Sequence, residues 1–275
     1  MKKLAVLVAI LPAVFGCEAI WNNGPTQLLR DIFEISEIDN VDDLKFATQQ
    51  ANFRWIRPKG YERWHIYSIL NDSQREKLTK IIKKSALAKA KMPTKKHYHA
   101  VVVLGATTAR VKKRMEFLMQ LANHGVTWEK VFLLGSTRDL NVGTEQGQRM
   151  AIFLKKMGSA ETEMFMMQYL WSQINKPKFC ASIPVISIQS GNRADGTRAN
   201  TEDSLVEMAK NIDSAQGKNI LFISNNPYIC YQDAVAKKIL NSFGVSVETV
   251  GEGMSSEESM ENVLDTVARC LTKMN

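Results

Sequence analysis

The sequence contains little cysteine, and this excludes two kinds of small-domain architecture. Its four cysteines are Cys17, Cys180, Cys230 and Cys270. Such distant positions form neither a disulfide framework nor the close-spaced pairs of a zinc site. With Cys17 set aside, the other three fit one disulfide, and they fit three buried free thiols equally well. Because no cluster of His, Asp and Glu has the spacing of metal ligands, we also predict no metal site.

Glycine-rich phosphate loops are absent too. No G-x-G-x-x-G and no G-x-x-x-x-G-K-[ST] occurs after an apolar run, which argues against a dinucleotide fingerprint and a P-loop. A SAM methyltransferase is disfavoured, because the loop at Gly105 has few glycines and Asp139 follows the second predicted strand several positions late. The sequence therefore identifies no cofactor.

No apolar run is long enough to cross a membrane comfortably. The longest at the start of the chain, residues 4–15, has twelve residues, whereas a span needs about 20. Preceded by Lys2 and Lys3, it is typical of the apolar region of a signal peptide, and the junction ending at Cys17 resembles a lipobox, with Phe15 as a departure. We predict that residues 1–17 direct export and that Cys17 is lipidated, which makes the protein a periplasmic, membrane-anchored lipoprotein. A signal processed otherwise, or a buried strand, is the alternative.

Positive charge is abundant and concentrated. The formal net charge is +8, and eight lysines lie within residues 77–96. Anionic partners are favoured by such a balance. The basic stretch is either a solvated helix face and linker or a surface for acidic lipid. No aromatic residue is interleaved among these lysines, so we expect no nucleic-acid partner.

From residue 97 onward, short apolar runs alternate with helical patterns. Strands are predicted at residues 100–104, 130–134, 183–188, 219–223 and 246–250. Helices are predicted at residues 109–123, 147–156, 162–173, 201–212, 228–243 and 257–273. This alternation predicts an α/β fold for residues 97–275: a doubly wound, mostly parallel, Rossmann-like sheet of about five strands.

Residues 18–96 are predicted to form an N-terminal helical appendage. Thr26 is expected to cap a short helix, residues 41–51 form a second helix, and Asp72 or Ser73 caps a basic helix that runs to about residue 90. An aromatic cluster is predicted to be the core of this appendage rather than a ligand cage, with His65 structural; it comprises Trp55, Tyr61, Trp64 and Tyr67.

Ligands of parallel sheets gather at the carboxyl ends of the strands. The loops after the first two predicted strands offer backbone N–H groups, hydroxyls and an arginine to a phosphate or carboxylate. The candidate ligand-binding residues there are Gly105, Ala106, Thr107, Gly135, Ser136 and Arg138. The alternative for the first loop is a tight turn without ligand. The alternative for the second loop is a helix-capping loop with a solvated Arg138.

Polar residues in the later loops extend this candidate site. Glu163 opens a helix and is our candidate acid/base, although the helix dipole alone favours an acid there. Asn200 and Thr201 either bind ligand or cap the next helix, and Arg193 and Arg198 precede them. After the fourth predicted strand, Ser224 and Asn225 suit polar contact with a ligand.

Taken in order, these segments resemble the ElyC/SanA/YdcF family over about residues 97–250. They are the glycine loop, Arg114 in the first helix of this region, the Gly-Ser loop, Thr162-Glu163, the run Arg-Ala-Asn-Thr-Glu-Asp-Ser, and Ser-Asn-Asn-Pro-Tyr. The resemblance implies a Rossmann-like protein of the bacterial envelope that binds a small ligand, and it adds Arg114 and Thr162 to the predicted ligand-binding residues.

The chain departs from the family pattern at four places. Thr162 stands for a serine, and Ser204 stands where an asparagine is usual. Ile229 or Cys230 occupies the position of a histidine, and Gln232 or Asp233 that of an arginine.

The resulting hypothesis is an envelope-associated protein that binds or acts on an anionic small molecule bearing a phosphate or a nucleotide. Glu163 is the acid/base candidate, and Arg138, Arg193 and Arg198 neutralise the ligand's charge. The alternatives are a non-catalytic binding or scaffold protein that has lost the family's His/Arg chemistry, and a secreted, host-directed factor. Both an enzyme and a receptor fit the sequence.

Overall fold

The computed structural model describes residues 20–39, 41–58, 68–141, 144–194, 199–212 and 217–275. The predicted signal segment with Cys17 lies outside this range. So do Arg198 and three aromatic residues of the predicted appendage cluster, Tyr61, Trp64 and Tyr67, together with His65.

A five-stranded parallel sheet forms the centre of the described structure. Its strands are β1 (His97–Leu104), β2 (Thr127–Ser136), β3 (Val185–Ser190), β4 (Asn219–Asn225) and β5 (Ser246–Glu252), in the spatial order β3-β2-β1-β4-β5. In the register, Val103 of β1 pairs with Leu133 of β2 on one side and with Ile223 of β4 on the other. The predicted doubly wound α/β fold is confirmed.

The third strand begins later than its sequence pattern suggests. Residues 183–188 were expected, whereas β3 starts at Val185. Pro184 has no N–H to donate to a ladder, and Ile183 follows a short 3₁₀ helix, Lys178–Ser182. The apolar run therefore enters the sheet only after the proline.

Helices cover both faces of the sheet. They are α1 (Gln27–Ile35), α2 (Leu44–Trp55), α3 (Asp72–Lys84), α4 (Thr108–Asn123), α5 (Glu145–Lys156), α6 (Glu163–Gln173), α7 (Thr201–Ala209), α8 (Ile229–Leu240) and α9 (Met260–Met274). Alternate strand residues face opposite sides. Val101 and Val103 therefore pack in the cluster of α4 and α6, whereas Ala100 and Val102 pack in that of α7, α8 and α9.

Helices α1–α3 share the second of these clusters. Phe33, Trp55 and Leu78 are buried in it, and α2 packs along α9. The hydroxyl of Thr26 accepts a hydrogen bond from Leu29 N–H, so Thr26 caps α1 as expected.

Three other predicted helix boundaries in this region were wrong. Asp43 caps α2, which therefore begins at Leu44 rather than at residue 41. Helix α3 is capped by Asn71 rather than by Asp72 or Ser73, because Asn71 and Gln74 form a reciprocal capping box. It ends at Lys84, since Ser85 takes an extended conformation, and not near residue 90.

One disulfide joins two of the helices that pack on the sheet. Cys230 of α8 is bonded to Cys270 of α9, and Cys180 is a buried free thiol. The sequence left open whether these three cysteines form one disulfide or remain three free thiols, and the structure has the disulfide. None of the helices in the described ranges is both long and apolar enough to span a bilayer.

Candidate functional site

Most of the predicted site residues gather at the carboxyl ends of the strands. The chain reverses its direction of winding between β1 and β4, and such a switch point is where open α/β sheets form their ligand crevice. Within the described ranges, this edge includes a smaller cavity of about 60 Å³ over β1 and β2 and a larger cavity of about 220 Å³ near the ends of β1, β4 and β5. The loop after β1 contributes to both.

The smaller cavity brings together residues from four predicted segments. Predicted site residues that line it are Gly105, Gly135, Ser136, Glu163, Asn200 and Thr201. Ser204, which was not among the predicted site residues, also lines this cavity. Its hydroxyl lies 2.6 Å from that of Ser190 at the end of β3.

Glu163 is the buried centre of this group. The residue is 4% exposed, and its carboxylate accepts hydrogen bonds from Ser136 N–H (3.1 Å), Ser136 Oγ (2.5 Å) and Arg138 Nη2 (3.0 Å). Arg138 also donates to the carbonyl of Ala106 at 2.7 Å. The pair therefore ties the loops after β1 and β2 to the start of α6.

Gly105 is required by this packing. A Cβ at this position would lie 2.8 Å from the carbonyl oxygen of Leu134 and 3.0 Å from the carboxyl group of Glu163. We expect Gly105→Ala to lower the free energy of unfolding by about 1–3 kcal/mol, because both neighbours are held in place. Urea unfolding followed by circular dichroism measures this.

The matched control for that substitution is Gly191→Ala. Gly191 lies in the loop after β3, and a Cβ there meets no atom within 4 Å. Its replacement should leave stability unchanged or raise it slightly. Equal stability of the two variants would show that Gly105 does not need to be glycine.

Several predicted ligand-binding residues hold the scaffold together. Arg114 is 1% exposed and donates to the carbonyls of Leu104 (2.8 Å) and Gly105 (2.9 Å) and to Asn225 Oδ1 (2.8 and 3.0 Å). It thereby joins the ends of β1 and β4. The hydroxyl of Ser224 is buried and donates to Gln232 Oε1.

Residues around the start of α7 form a cap. Asn200 Oδ1 accepts hydrogen bonds from the N–H groups of Glu202 and Asp203, and Asp203 accepts one from Asn200 N–H. The side chain of Arg193 pairs with Asp203 at 2.8 Å. The capping interpretation of Asn200 is therefore confirmed.

Thr162 precedes α6 without capping it, and its buried hydroxyl has no partner among the described residues.

The larger cavity is lined partly by residues that sequence reasoning missed. Thr107 and Asn225 were predicted, whereas Arg110, Lys113 and Glu252 were not. Arg110 and Lys113 stand three residues apart at the start of α4, which places them on one helix face. That spacing, directly after a predicted edge loop, was a usable signal. Glu252 carried none, because it ends a strand distant in sequence.

The start of α4 is open toward this cavity. Thr107 is the N-cap residue, but its side chain makes no capping hydrogen bond. Thr108 in the first turn has a buried hydroxyl without a partner among the described residues, and it lines an adjoining cavity of about 10 Å³. Uncapped first-turn N–H groups and the positive end of the helix dipole favour an anion here.

A buried polar cluster forms one wall of the larger cavity. Glu258 accepts hydrogen bonds from Arg110 (2.7 Å), Tyr228 Oη (2.8 Å) and Asn262 Nδ2 (3.0 Å). The guanidinium of Arg110 also lies 5.0 Å from the centre of the Tyr228 ring. Arg110 is therefore neutralised and fixed, and Lys113 remains as the exposed cation of this wall.

Glu252 lies opposite these cations at the end of β5. Burial raises the pKa of its carboxyl group, the charge of Lys113 lowers it, and that of Glu116 raises it further, so the pKa lies above its ordinary value. Burial is the largest of these effects. The carboxyl group is thus in a partly desolvated position on the wall of the cavity.

The described part of the chain holds no group of three or more His, Cys, Asp and Glu side chains arranged to bind a metal ion.

Comparison of the chain with protein-family models and with curated proteins found no match.

Proposed function

We propose that the protein is an envelope-associated binding protein, resembling the ElyC/SanA/YdcF family, that holds an anionic, phosphate-bearing small molecule in the 220 Å³ cavity. The observation that carries this proposal is the uncapped first turn of α4, which opens into that cavity beside Lys113. Backbone N–H groups at a helix start combined with a lysine are a common way of binding phosphate.

Binding is favoured over catalysis by the state of Glu163. Its carboxylate is engaged by Ser136 and Arg138, and the adjoining cavity holds only about 60 Å³. The oxygens of this carboxylate are already occupied by donors from the protein, so a ligand proton would have to displace one of them. In this proposal Glu163 positions the loops that border the ligand site, and it does not transfer protons.

The disulfide and the basic surface support an envelope location. A disulfide such as Cys230–Cys270 persists in oxidising compartments and is rare in the cytosol. The exposed side chains of Lys77, Lys83 and Lys84 lie on α3, and that of Lys89 follows it. Together with lipidation at Cys17, these lysines provide the second attraction that stable membrane anchoring requires.

A ligand screen tests the proposal. The full chain is mixed with inorganic phosphate, sugar phosphates and nucleotides, and its melting temperature is recorded. We expect stabilisation by phosphate-bearing compounds and not by their dephosphorylated counterparts. Lys113→Glu should weaken the binding at least about tenfold, because it removes a charge-assisted contact and adds a repulsive charge.

The matched control is Lys112→Glu. Lys112 is the exposed neighbour of Lys113 and does not line the cavity. Lys112→Glu changes the net charge by the same amount as Lys113→Glu. A long-range charge effect would therefore weaken binding by the same factor in both variants. That result, or the absence of stabilisation by every phosphate compound, would refute a phosphate site at α4.

A further inference from the structure

The larger cavity carries more negative charge than a purely anionic ligand would favour. Its described lining includes Glu252, Glu257 and Glu258 but only two cations, Arg110 and Lys113. The pair of Arg110 with Glu258 is internally neutral. Lys113 therefore shares the lining of the cavity with two further carboxylates, and neither Glu252 nor Glu257 has a side-chain hydrogen bond or ion pair within the described residues.

Glu252 is held in this position by the backbone around it. Its carbonyl accepts a hydrogen bond from Asn226 N–H at 2.9 Å. At the preceding residue, Gly251, a Cβ would lie 2.2 Å from the carbonyl oxygen of Ser224, so the ends of β4 and β5 are in close contact. These contacts thus fix the backbone of Glu252 at the wall of the cavity.

Resting on the proposed phosphate site, we infer that the ligand is a small phosphate ester that also carries a cationic amine. The phosphate lies at the first turn of α4 with Lys113, and the amine lies between Glu252 and Glu257. Such a ligand complements both signs of charge, and it gives hydrogen-bond partners to two carboxylates that make no side-chain hydrogen bond within the described residues. A ligand bearing only negative charge would place its phosphate near both glutamates without compensation.

The size of the cavity favours a small ligand. About 220 Å³ lies below the range of roughly 300–1,000 Å³ that is usual for drug-sized ligands and nucleotide-sized cofactors. A phosphate, a two-carbon linker and an amine fit this space. The chemistry is shared by a free phosphoamine and by the headgroup of an amine-bearing phospholipid.

Calorimetric titration of the full chain with three probes tests the inference. The probes are O-phosphoethanolamine, ethyl phosphate, which lacks the amine, and glycerophosphoethanolamine, the soluble diester headgroup. We expect at least one amine-bearing probe to bind about tenfold or more tightly than ethyl phosphate. Tighter binding of the monoester indicates a free phosphoamine, and tighter binding of the diester indicates a lipid headgroup.

Glu252→Gln should remove this preference by weakening the binding of the amine-bearing probes about tenfold, and it should not weaken the binding of ethyl phosphate. The matched control, Glu116→Gln, removes a nearby exposed carboxylate that does not line the cavity, and it should keep the preference. If Glu252→Gln does not fold, Glu257→Gln at an exposed position serves instead and should reduce the preference.

The outcomes separate the two proposals. If neither ethyl phosphate nor an amine-bearing probe binds, the phosphate site itself is wrong. If ethyl phosphate binds as tightly as the amine-bearing probes, the phosphate site stands and the amine inference is overturned. Retention of the preference in both Glu252→Gln and Glu257→Gln also overturns it.

Discussion

Replacing Asp265 with alanine is expected to lower the free energy of unfolding by about 3–5 kcal/mol. Asp265 is fully buried on α9 and accepts hydrogen bonds from Arg57 N–H (3.0 Å), Arg57 Nη2 (2.5 Å) and Arg269 Nε (2.9 Å). The side chain of Arg57 is only 6% exposed. The positive charge of Arg57 is tolerated away from water because Asp265 neutralises it. Asp265→Ala therefore leaves the buried guanidinium of Arg57 without this compensation.

This contact also links two regions of the chain. Arg57 follows α2, and Asp265 lies 208 positions later in the last helix. The substitution should therefore loosen the packing of α2 on α9. Hydrogen exchange in α2 should rise more than exchange in β1, whose residues lie at the centre of the sheet.

The matched control is Asp42→Ala. Asp42 pairs with Arg30 at 2.6 Å, but its side chain is 71% exposed. A surface pair of this kind contributes about 0–1 kcal/mol, so stability should hardly change. Urea unfolding with unchanged slope is the measurement. A loss below about 1 kcal/mol in Asp265→Ala would show that the buried pair does not stabilise the protein.

Acid should weaken the same contact. Burial by itself raises the pKa of Asp265, but hydrogen bonds from Arg269 and the charges of Arg269 and Arg57 outweigh it, so the pKa lies below its usual value. A lowered folded-state pKa stabilises the protein above the unfolded-state value of about 3.9. The wild-type advantage over Asp265→Asn should therefore be complete at neutral pH and decline as the pH falls below about 4.

Breaking the Cys230–Cys270 disulfide is expected to have the second large effect. The bond closes a loop with a sequence separation of 40, and for such a loop the chain-entropy model gives about 4 kcal/mol. Both cysteines are buried, and they join α8 to α9. We expect Cys230→Ala with Cys270→Ala to lower the free energy of unfolding by about 2–4 kcal/mol.

Thiol labelling checks the pairing directly. In the unfolded, unreduced chain, a maleimide should label the peptide of Cys180 and leave those of Cys230 and Cys270 unmodified. Reducing agent should destabilise the wild type and leave the double variant unchanged. Labelling of all three peptides in protein purified without reducing agent would contradict the disulfide, and with it the support for the proposed oxidising location.

Local chemistry made most of the fold predictable. Short apolar runs, separated by helical patterns, identified the five strands and the parallel sheet, and their ends were displaced by only a few residues. Errors arose where a neighbouring polar residue competed for a cap, as with Asn71 and Asp72 before α3. Short-range signals of this kind are contained in adjacent residues and need no knowledge of the tertiary structure.

The candidate site was predictable only in its location. Parallel strands deliver their loops to one edge, so Gly105, Ser136 and Glu163 were expected to be neighbours, and the structure brings them together. The sequence did not indicate that Arg138 pairs with Glu163 or that Arg114 joins two strand ends. These contacts span 25 and 111 positions, and they determine which arginines remain for a ligand.

By itself, then, the sequence determined the succession of strands and helices along the chain and the edge of the sheet at which the loops meet. Both follow from the pattern of apolar residues within short segments, which is a local property. Only the tertiary structure decided which of those loops line an open cavity. The strand order places α4 beside the end of β5, which brings Lys113 opposite Glu252 although 139 positions separate them. Charge and shape at such a distance depend on packing, and no pattern of adjacent residues encodes them.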